Sequence, residues 1–378
     1  MFDYETLRLM WWLLIGILLI GFAIADGMDL GTAMLLPVLG KTDTERRVII
    51  NTIGPHWDGN QVWLITAGGA IFAAWPIVYA TAFSGFYWAM LLVLFALFFR
   101  PIGFEYRSKK DSAQWRSNWD YALSIGSFVP ALVFGVAFGN LFLGVPFYFD
   151  ELARPIYTGS FWALLNPFAL VCGLASVVML AIQGATWLQM RAGGDVQARA
   201  QQMATRLGPV LAVLMTVAGA WLYFGISGYE ITSTVIADAP SNPLNKTVIA
   251  TDNWFGHYAE YPLLWLLAAG AVGLPVVTSL MAKVGRSGVA FTLSSLSIAV
   301  IILMTGVTLF PFIMPSSSNL ASALTVWDAT SSALTLEIMV WVAFVFVPII
   351  LSYTLWGYYK MWRRIEPEFI EQNSVSNY

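Results

Sequence analysis

Nine long apolar segments constrain this chain more than any other feature of its sequence. Each segment is long enough to cross a hydrocarbon core of about 30 Å. Backbone groups in lipid must be hydrogen-bonded within the protein, so segments of this length predict helices. The predicted spans cover residues 9–33, 58–76, 79–100, 119–144, 162–190, 205–226, 261–282, 288–313 and 333–359. We therefore predict an all-α, polytopic integral membrane protein with about nine transmembrane helices, a count that permits two four-helix bundles plus one peripheral helix.

Positive charge is distributed unevenly between the two sides of these spans. Of the 19 Lys and Arg residues, only Arg8, Arg154 and Lys246 fall on one side, and all the others fall on the opposite side. Cytoplasmic loops carry the excess of Lys and Arg. We expect a multi-pass protein of the bacterial inner membrane, with a periplasmic N-terminus and a cytoplasmic C-terminus.

The chain is predicted to form a single transmembrane domain over residues 1–378, because no segment resembles a separate soluble domain. The longest loop, residues 227–260, lies on the side with few positive charges. We expect it to be a solvated outer, periplasmic loop.

Composition restricts the chemistry that the chain can support. Only 11% of residues are charged, against about 25% in soluble domains, which agrees with a surface that faces the lipid bilayer. The net charge of −3 gives no indication of nucleic-acid binding, and we predict none. Cys172 is the single cysteine, so an internal disulfide is impossible. His56 and His257 are the two histidines, which leaves few nitrogen ligands for a metal.

Two carboxylates lie inside the first predicted span. Asp26 and Asp29 are three residues apart and therefore share a helix face. At 1.5 Å per residue, Asp26 lies about 25 Å along the helix from Leu9, in the cytoplasmic half, with Asp29 near the membrane edge. A charge at mid-bilayer costs about 3 kcal/mol or more. One interpretation is a proton-uptake pair, and the other is an interfacial pair that hydrates a Gly-rich helix end.

A dense polar cluster opens the second span. Its sequence is Pro55-His56-Trp57-Asp58-Gly59-Asn60-Gln61-Val62-Trp63. Asp58 is predicted to cap the helix, with Gln61 at the capping-box position. The density of polar side chains nevertheless exceeds what a cap requires. We therefore interpret Asp58 and His56 as candidates for a proton path that also includes Asp26 and Asp29.

Charged residues also mark the cytoplasmic end of the third span. Arg100-Pro101 is predicted to end this helix, and Glu105 and Arg107 follow. Arg107 is predicted to be an interfacial anchor in an ion pair. Glu105 is a further candidate for the proton path.

The last span carries two carboxylates near its outer end. Asp328 is predicted to be its N-cap. Glu337 lies one to two turns into the helix, where it must be paired, protonated or turned toward protein.

The sequence indicates no haem site in this chain. His56 lies at the cytoplasmic edge and His257 lies in the outer loop, so the two histidines cannot ligate one haem. The 14 Met residues could supply thioether ligands, but Met on apolar helices is usually packing. We predict no metal site and no catalytic residue in the chain alone.

Taken together, these motifs resemble subunit II of the cytochrome bd quinol oxidases, in particular the enterobacterial ubiquinol oxidase type. The resemblance extends from residue 3 to residue 332. The matching motifs are Asp3-Tyr4-Glu5 with Trp11-Trp12, Asp26-Gly27 with Asp29, the string from Pro55 to Leu64, Phe99-Arg100-Pro101, Leu309 to Ser317, and Trp327 to Ser332.

The resemblance implies a haem-free, nine-helix partner of subunit I, which holds the haems b, haem d and the quinol site. The complex oxidises quinol and reduces oxygen to water. The position of Asp58 belongs to a proton route from the cytoplasm, and that of Trp63 lines an apolar oxygen route. The resemblance also allows for a structural ubiquinone in an apolar pocket and for small single-helix accessory subunits.

The sequence therefore predicts a subunit of a quinol:oxygen oxidoreductase that scaffolds subunit I and supplies a proton-uptake path. The alternative from another class is a proton-coupled secondary transporter, because helices broken by Gly and Pro with intramembrane Asp would suit one. A transporter binds its substrate near the midplane, whereas the polar groups here are predicted to cluster at one membrane edge.

Overall fold

The computed structural model describes residues 2–372, which fold largely into helices. The helices are α1 (Tyr4–Leu39), α2 (Asp43–Ile53), α3 (Trp57–Ala74), α4 (Pro76–Gly85), α5 (Tyr87–Tyr106), α6 (Ala113–Leu143), α7 (Pro167–Arg191), α8 (Gly194–Gly225), α9 (Gly256–Glu260), α10 (Trp265–Lys283), α11 (Ser287–Leu309), α12 (Ala333–Lys360) and α13 (Pro367–Gln372). Within residues 2–372, eight helices are each long and apolar enough to span a membrane, and α3 with α4 forms a ninth unit that is bent by 120°. The predicted all-α membrane fold with about nine spans is confirmed.

The long helices form two groups of four with one helix outside them. In the first group α1 packs against α3 and α6, and α5 packs against α6. In the second group α7 packs against α8 and α11, and α10 packs against the same two helices. Helix α12 packs mainly along α1 and α3, and most of its side chains are exposed. It is the peripheral helix.

Helix α1 joins the two groups, since it packs against α7 and α11 as well as its own group. Small residues permit this close packing. A Cβ atom on Gly31 would lie 1.9 Å from the carbonyl oxygen of Leu180, and a Cβ atom on Gly184 would lie 2.2 Å from the carbonyl carbon of Gly31. Any side chain at either glycine would force α1 and α7 apart.

Helix α1 extends beyond both predicted limits of residues 9–33. The Asp3 side chain caps its N-terminus by accepting a hydrogen bond from the Thr6 N–H. At the other end the helix continues through Pro37 to Leu39. Leu35, Leu36 and Leu39 are buried there, so packing holds the last turns helical despite the proline.

The predicted turn between spans two and three is instead a short helix. Trp75 and Phe86 each interrupt the helical path, and α4 lies between them. The third span, predicted over 79–100, therefore begins at Tyr87 and continues through Arg100-Pro101 to Tyr106. The prediction that Arg100-Pro101 ends this helix is wrong.

Several other boundaries differ by a few residues or more. Helix α8 starts at Gly194 rather than at residue 205, because Gly194 with φ +59° turns the chain directly out of α7. Helix α6 starts at Ala113 rather than 119, and α11 ends at Leu309 rather than 313.

The N-cap of α12 is Ser332, which accepts a hydrogen bond from the Thr335 N–H. The prediction that Asp328 caps this helix is wrong. Asp328 instead accepts from the Thr325 N–H at 2.9 Å and pairs with Lys246 Nζ at 2.9 Å. It therefore stabilises the turn that precedes α12.

One end of the molecule, called here the hairpin end, carries three two-stranded antiparallel sheets. They pair β1 (Phe147–Phe149) with β2 (Pro155–Tyr157), β3 (Gly228–Ile231) with β4 (Val248–Thr251), and β5 (Phe312–Met314) with β6 (Leu324–Thr325). The second sheet orders part of the loop 227–260, and more than half of the residues of this loop are exposed. Arg8 of α1 donates to the carbonyl oxygen of Ala239 at 2.9 Å and to Ser241 Oγ at 3.0 Å, which attaches this loop to the first helix.

The opposite end, called here the basic end, is cross-linked by ion pairs. Asp120 at the start of α6 is fully buried and pairs with Arg107 Nε at 2.5 Å and with Arg46 Nη1 at 2.8 Å. Arg107 also pairs with Asp43 of α2 at 2.8 Å. The prediction of Arg107 in an ion pair is confirmed. After α12, the chain returns over the α7–α8 junction, where the Ile365 N–H donates to the carbonyl oxygen of Arg191.

Candidate functional site

Two carboxylates of α1 and an arginine of α5 form a buried ionic cluster. Arg100 Nη1 donates to Asp26 Oδ2 at 2.9 Å, and Nη2 donates to Asp26 Oδ1 at 2.6 Å. Arg100 Nη2 also lies 4.0 Å from Asp29 Oδ2. All three side chains are completely buried. The bidentate geometry is the strongest form of arginine–carboxylate pairing.

Each helix presents its charged groups to the other. Asp26 and Asp29 share one face of α1 because they are three residues apart. Arg100 faces them because α5 remains helical through Pro101. The guanidinium of Arg100 lies 5.9 Å from the centre of the Trp57 ring, which closes one side of the cluster.

The cluster lies deeper than the sequence indicated. Residues 30–39 of α1 follow Asp29, which corresponds to about 15 Å of helix at 1.5 Å per residue. Asp29 is therefore well inside the helix rather than near its end. Burial at this depth requires paired or neutral groups, since an isolated charge is strongly disfavoured.

Hydrogen bonds connect this cluster to the peripheral helix. Asn60 Nδ2 of α3 donates to Asp29 Oδ2 at 2.8 Å. The Tyr358 hydroxyl of α12 donates to Asn60 Oδ1 at 2.6 Å. The Tyr358 ring stacks on His56 with 4.4 Å between ring centroids. Side chains from α1, α3, α5 and α12 thus meet in one polar site at the basic end.

His56 is buried in this site rather than solvated. It is the residue that precedes α3, and its ring lies against Tyr358 and Trp187. Burial and the nearby positive charge of Arg191 lower the pKa of His56 to about 4. The imidazole is therefore neutral at neutral pH.

Asp58 and Glu105 lie outside the buried cluster. Both side chains are exposed on the isolated chain. They follow Trp57 and Phe104, whose rings contact each other at a centroid distance of 5.3 Å. Asp58 and Glu105 each follow a member of this aromatic contact, and both reach the surface of the isolated chain.

Asp58 is not the N-cap of α3, so the predicted cap and its capping box with Gln61 are wrong. The N-cap is His56, which makes no side-chain capping hydrogen bond, and Asp58 lies in the first turn. The N-cap therefore lies two residues before the predicted position, because Trp57 is already helical. A carboxylate in the first turn still interacts favourably with the helix dipole.

Trp63 lies one to two turns further along α3 and packs against α1. A Cβ atom on Gly21 would lie 2.6 Å from the Trp63 ring, so the glycine makes room for the indole. The ring joins an apolar cluster that includes Phe22, Leu97 and Leu180.

The sequence did not identify two residues of this site, Arg100 and Tyr358. Arg100 was grouped with the positive charges of a cytoplasmic loop, and Tyr358 was part of an apolar span. The signal for Arg100 was its position directly after the apolar run that ends in Phe99, where a charge needs a buried partner.

The two histidines lie at opposite ends of the molecule. His257 precedes α10 at the hairpin end, and its Nε2 lies 2.9 Å from the carbonyl oxygen of Phe310. Within residues 2–372, no group of three or more His, Cys, Asp or Glu side chains could hold a metal ion.

A cleft lies between α7, α8, α10 and α11. Its lining combines the apolar side chains of Met179, Ile182, Leu211 and Pro275 with the hydroxyl groups of Thr278, Ser294 and Ser297.

Known proteins resemble this chain along its full length. The family model of cytochrome bd terminal oxidase subunit II matches residues 7–361. The chain is 56% identical over 379 residues to the cytochrome bd-I ubiquinol oxidase subunit 2 of Escherichia coli (strain K12), with 100% of both chains covered. It is 31% identical to the cytochrome bd ubiquinol oxidase subunit 2 of Bacillus subtilis (strain 168), over 95% of this chain and 97% of that one.

The fold also matches a solved structure. A chain in the structure of bd oxidase from Geobacillus thermodenitrificans aligns with a TM-score of 0.63 and 14% identity, over 95% of this chain and 99% of that chain. At that identity the match concerns the fold alone. The sequence matches and the fold agree, and this chain belongs to the cytochrome bd terminal oxidase subunit II family.

Proposed function

We propose that this chain is the haem-free subunit II of a cytochrome bd quinol oxidase, an electrogenic quinol:oxygen oxidoreductase. In this proposal it scaffolds the haem-bearing subunit I and takes up protons from the cytoplasm, and by itself it is not catalytic. The observation that carries the proton role is the buried cluster of Asp26, Asp29 and Arg100 with its hydrogen bonds to Asn60 and Tyr358 at the basic end.

The proposed orientation places the basic end in the cytoplasm and the hairpin end in the periplasm of a bacterial inner membrane. The N-terminus is then periplasmic and the C-terminus cytoplasmic. Residues 1–378 form a single transmembrane domain in this proposal, with loop 227–260 outside. Met1 and residues 373–378 lie outside the described residues.

The scaffolding role is supported by the apolar surfaces of α3, α5 and α12. Val62, Ile65 and Phe72 are exposed on α3, and Trp88 and Phe95 are exposed on α5. The same side of the chain exposes Asp58, a carboxylate on a membrane helix, which favours cover by protein. Subunit I, with haems b and d, is the proposed partner, and small single-helix subunits would add to the assembly.

The proposed proton path has a surface part and a buried part. Asp58 and Glu105 form the surface part at the basic end, and Asp26 and Asp29 form the buried part. His56 lies beside Tyr358 and is a further candidate member of the path, with an imidazole that is neutral at neutral pH. The Trp57 ring adjoins both parts, since it lies 5.9 Å from the Arg100 guanidinium and directly precedes Asp58. Proton uptake from inside, with quinol protons released outside, would generate a membrane potential.

The proposed oxygen route passes Trp63. The indole lies in an apolar cluster between α1 and α3, and oxygen partitions into apolar surroundings. The proposal also includes a structural ubiquinone held in an apolar pocket of this chain. The full-length similarity to oxidase subunits leaves no support for a secondary transporter.

The path is tested by Asp58→Asn in the intact complex. Because Asp58 does not cap α3, this change removes the ionisable group and leaves the helix start intact. We expect assembly to persist and oxygen consumption per haem d to fall on the order of tenfold or more, since a positioned proton donor typically contributes about 10²-fold or more.

The matched control is Asp195→Asn, another exposed carboxylate in the first turn of a helix at the basic end. It should keep normal turnover. Normal turnover of the Asp58→Asn complex would remove Asp58 from the path.

A further inference from the structure

Two hydrogen bonds connect α12 to Asp29, and in both of them the donor lies on the α12 side. The Tyr358 hydroxyl donates to Asn60 Oδ1, and Asn60 Nδ2 donates to Asp29 Oδ2. The reversed amide would place the Asn60 oxygen against a carboxylate oxygen, which is unfavourable unless a proton lies between them. In the orientation that the structure shows, the amide oxygen accepts from the tyrosine, and the amide nitrogen makes Asp29 Oδ2 an acceptor.

The two oxygens of Asp29 have different surroundings. Oδ2 accepts from Asn60 and lies 4.0 Å from the Arg100 guanidinium. Oδ1 is buried and has no hydrogen-bond partner in the described part of the chain. A proton on this carboxyl group therefore has one favourable position, which is Oδ1.

The charges of the cluster also require a proton. Asp26 and Asp29 carry two negative charges when ionised, and Arg100 supplies one positive charge. Arg100 binds Asp26 through both terminal nitrogens, so its charge is committed to that carboxylate. The second carboxylate is completely buried, where an uncompensated charge is strongly disfavoured.

From these contacts we infer that Asp29 is a protonated carboxylic acid with its proton on Oδ1, and that Asn60 and Tyr358 are positioning residues that hold it in this state. The inference rests on the proposed proton-uptake function only in treating Asp29 as a station of that path. The proton binds to and leaves Oδ1, and no other bond changes.

The amide also determines what Tyr358 does. An amide in its ordinary tautomer cannot pass a proton from the tyrosine to the carboxylate, because its N–H donates without accepting on nitrogen. Tyr358 therefore orients the Asn60 amide and does not carry a proton. His56 holds the tyrosine ring by stacking, so the peripheral helix α12 controls the state of a carboxyl group on α1.

The test is infrared difference spectroscopy of the intact oxidase complex, comparing its oxidised and reduced states, together with absolute spectra. We expect a carbonyl band of a protonated carboxylic acid that shifts on labelling with [4-¹³C]aspartate and disappears in Asp29→Asn. Tyr358→Phe should keep the band but shift its frequency, because the Asn60 amide loses its orienting donor.

Tyr353→Phe is the matched control, since Tyr353 is an exposed tyrosine on the same helix. It should leave the band unchanged. A complex without an aspartate-sensitive band, or with one that persists in Asp29→Asn, would overturn the inference. Absence of an aspartate-sensitive band in the labelled, unmutated complex overturns the inference even when Asp29→Asn fails to assemble.

The infrared test of Asp29 and the turnover test of Asp58 can give independent results. Normal turnover in Asp58→Asn together with an Asp29 carbonyl band would remove Asp58 from the path and leave the protonated Asp29 in place. A turnover loss in Asp58→Asn without an Asp29 band would support the path and refute the protonated state. A Tyr358→Phe band identical to wild type would remove Tyr358 as a positioning residue.

Discussion

Replacing Arg100 should destabilise the chain far more than replacing any arginine at its surface. In Arg100→Met, Asp26 loses both of its hydrogen bonds to the guanidinium at 2.6 and 2.9 Å while remaining completely buried. Removing one partner of a buried ion pair typically costs about 3–5 kcal/mol, because the other charge is left uncompensated. That cost corresponds to a change of more than about a hundredfold in the folding equilibrium.

A second replacement should recover much of this loss. Replacing both partners of a buried pair by apolar residues is often neutral, so Arg100→Met with Asp26→Leu should be more stable than Arg100→Met alone. The control is Arg116→Met, because Arg116 pairs with Asp43 and with the fully exposed Asp111. Partly exposed pairs contribute about 0–1 kcal/mol, so this variant should remain close to wild type.

The measurement is the midpoint of SDS-induced unfolding of the purified complex, followed by tryptophan fluorescence. The expected order of stability is wild type and Arg116→Met, then the double variant, then Arg100→Met. Equal midpoints for Arg100→Met and Arg116→Met would refute the buried pair. A double variant less stable than Arg100→Met would refute the argument from uncompensated charge.

Three further outcomes follow from particular contacts. The pKa of His56 is lowered to about 4 in the folded chain, against about 6.5 in the unfolded chain. Between these values only the unfolded chain binds a proton at His56. The contribution of His56 to the free energy of unfolding is therefore complete above pH about 6.5 and is lost as the pH falls toward 4. Thermal unfolding scans should show that His56→Gln removes about 2–3 kcal/mol of this acid sensitivity, and an unchanged pH dependence would show that His56 is not buried as described. Gly31→Ala should destabilise the folded chain by about 1–3 kcal/mol through overpacking against Leu180, and so lower the amount of assembled complex. Gly16→Ala should assemble normally, because a Cβ atom there meets nothing within 4 Å. Quantitative membrane immunoblots compare the two variants, and equal yields would contradict the α1–α7 contact. Reporter fusions at Lys110 and Asn245 should report cytoplasm and periplasm respectively, and the same compartment at both sites would refute the proposed orientation.

Hydrophobic length and charge distribution were sufficient to predict the class of fold. Nine apolar runs predicted the spans, because a hydrocarbon core requires internally hydrogen-bonded segments of that length. They did not predict where helices end. At Pro37 and Pro101, packing keeps the helix continuous although the sequence favours a break, and at Trp75 a sharp bend separates α3 from the short helix α4.

The candidate site was predictable only in part. The spacing of Asp26 and Asp29 identified a shared helix face, but their partner Arg100 is 74 residues away in the chain. Nothing local to either segment indicates that pairing. Tyr358 is further still from Asn60, at a separation of 298 residues. Such contacts arise from how the helices pack, which the periodicity of a single helix does not contain.

The order in which the helices are synthesised gives one earlier contact a further meaning. Helix α1 emerges from the ribosome first and α12 is the last long helix to follow, yet the two are joined near both ends. Trp11 Nε1 donates to the carbonyl oxygen of Leu336 at 3.0 Å, and Tyr358 reaches Asp29 through Asn60. Until α12 is inserted, the acceptor on Asn60 lacks its tyrosine donor and the carboxyl group of Asp29 is not fixed. The polar site is therefore complete only when the last long helix is in place, and a product truncated before α12 would lack the Tyr358 donor.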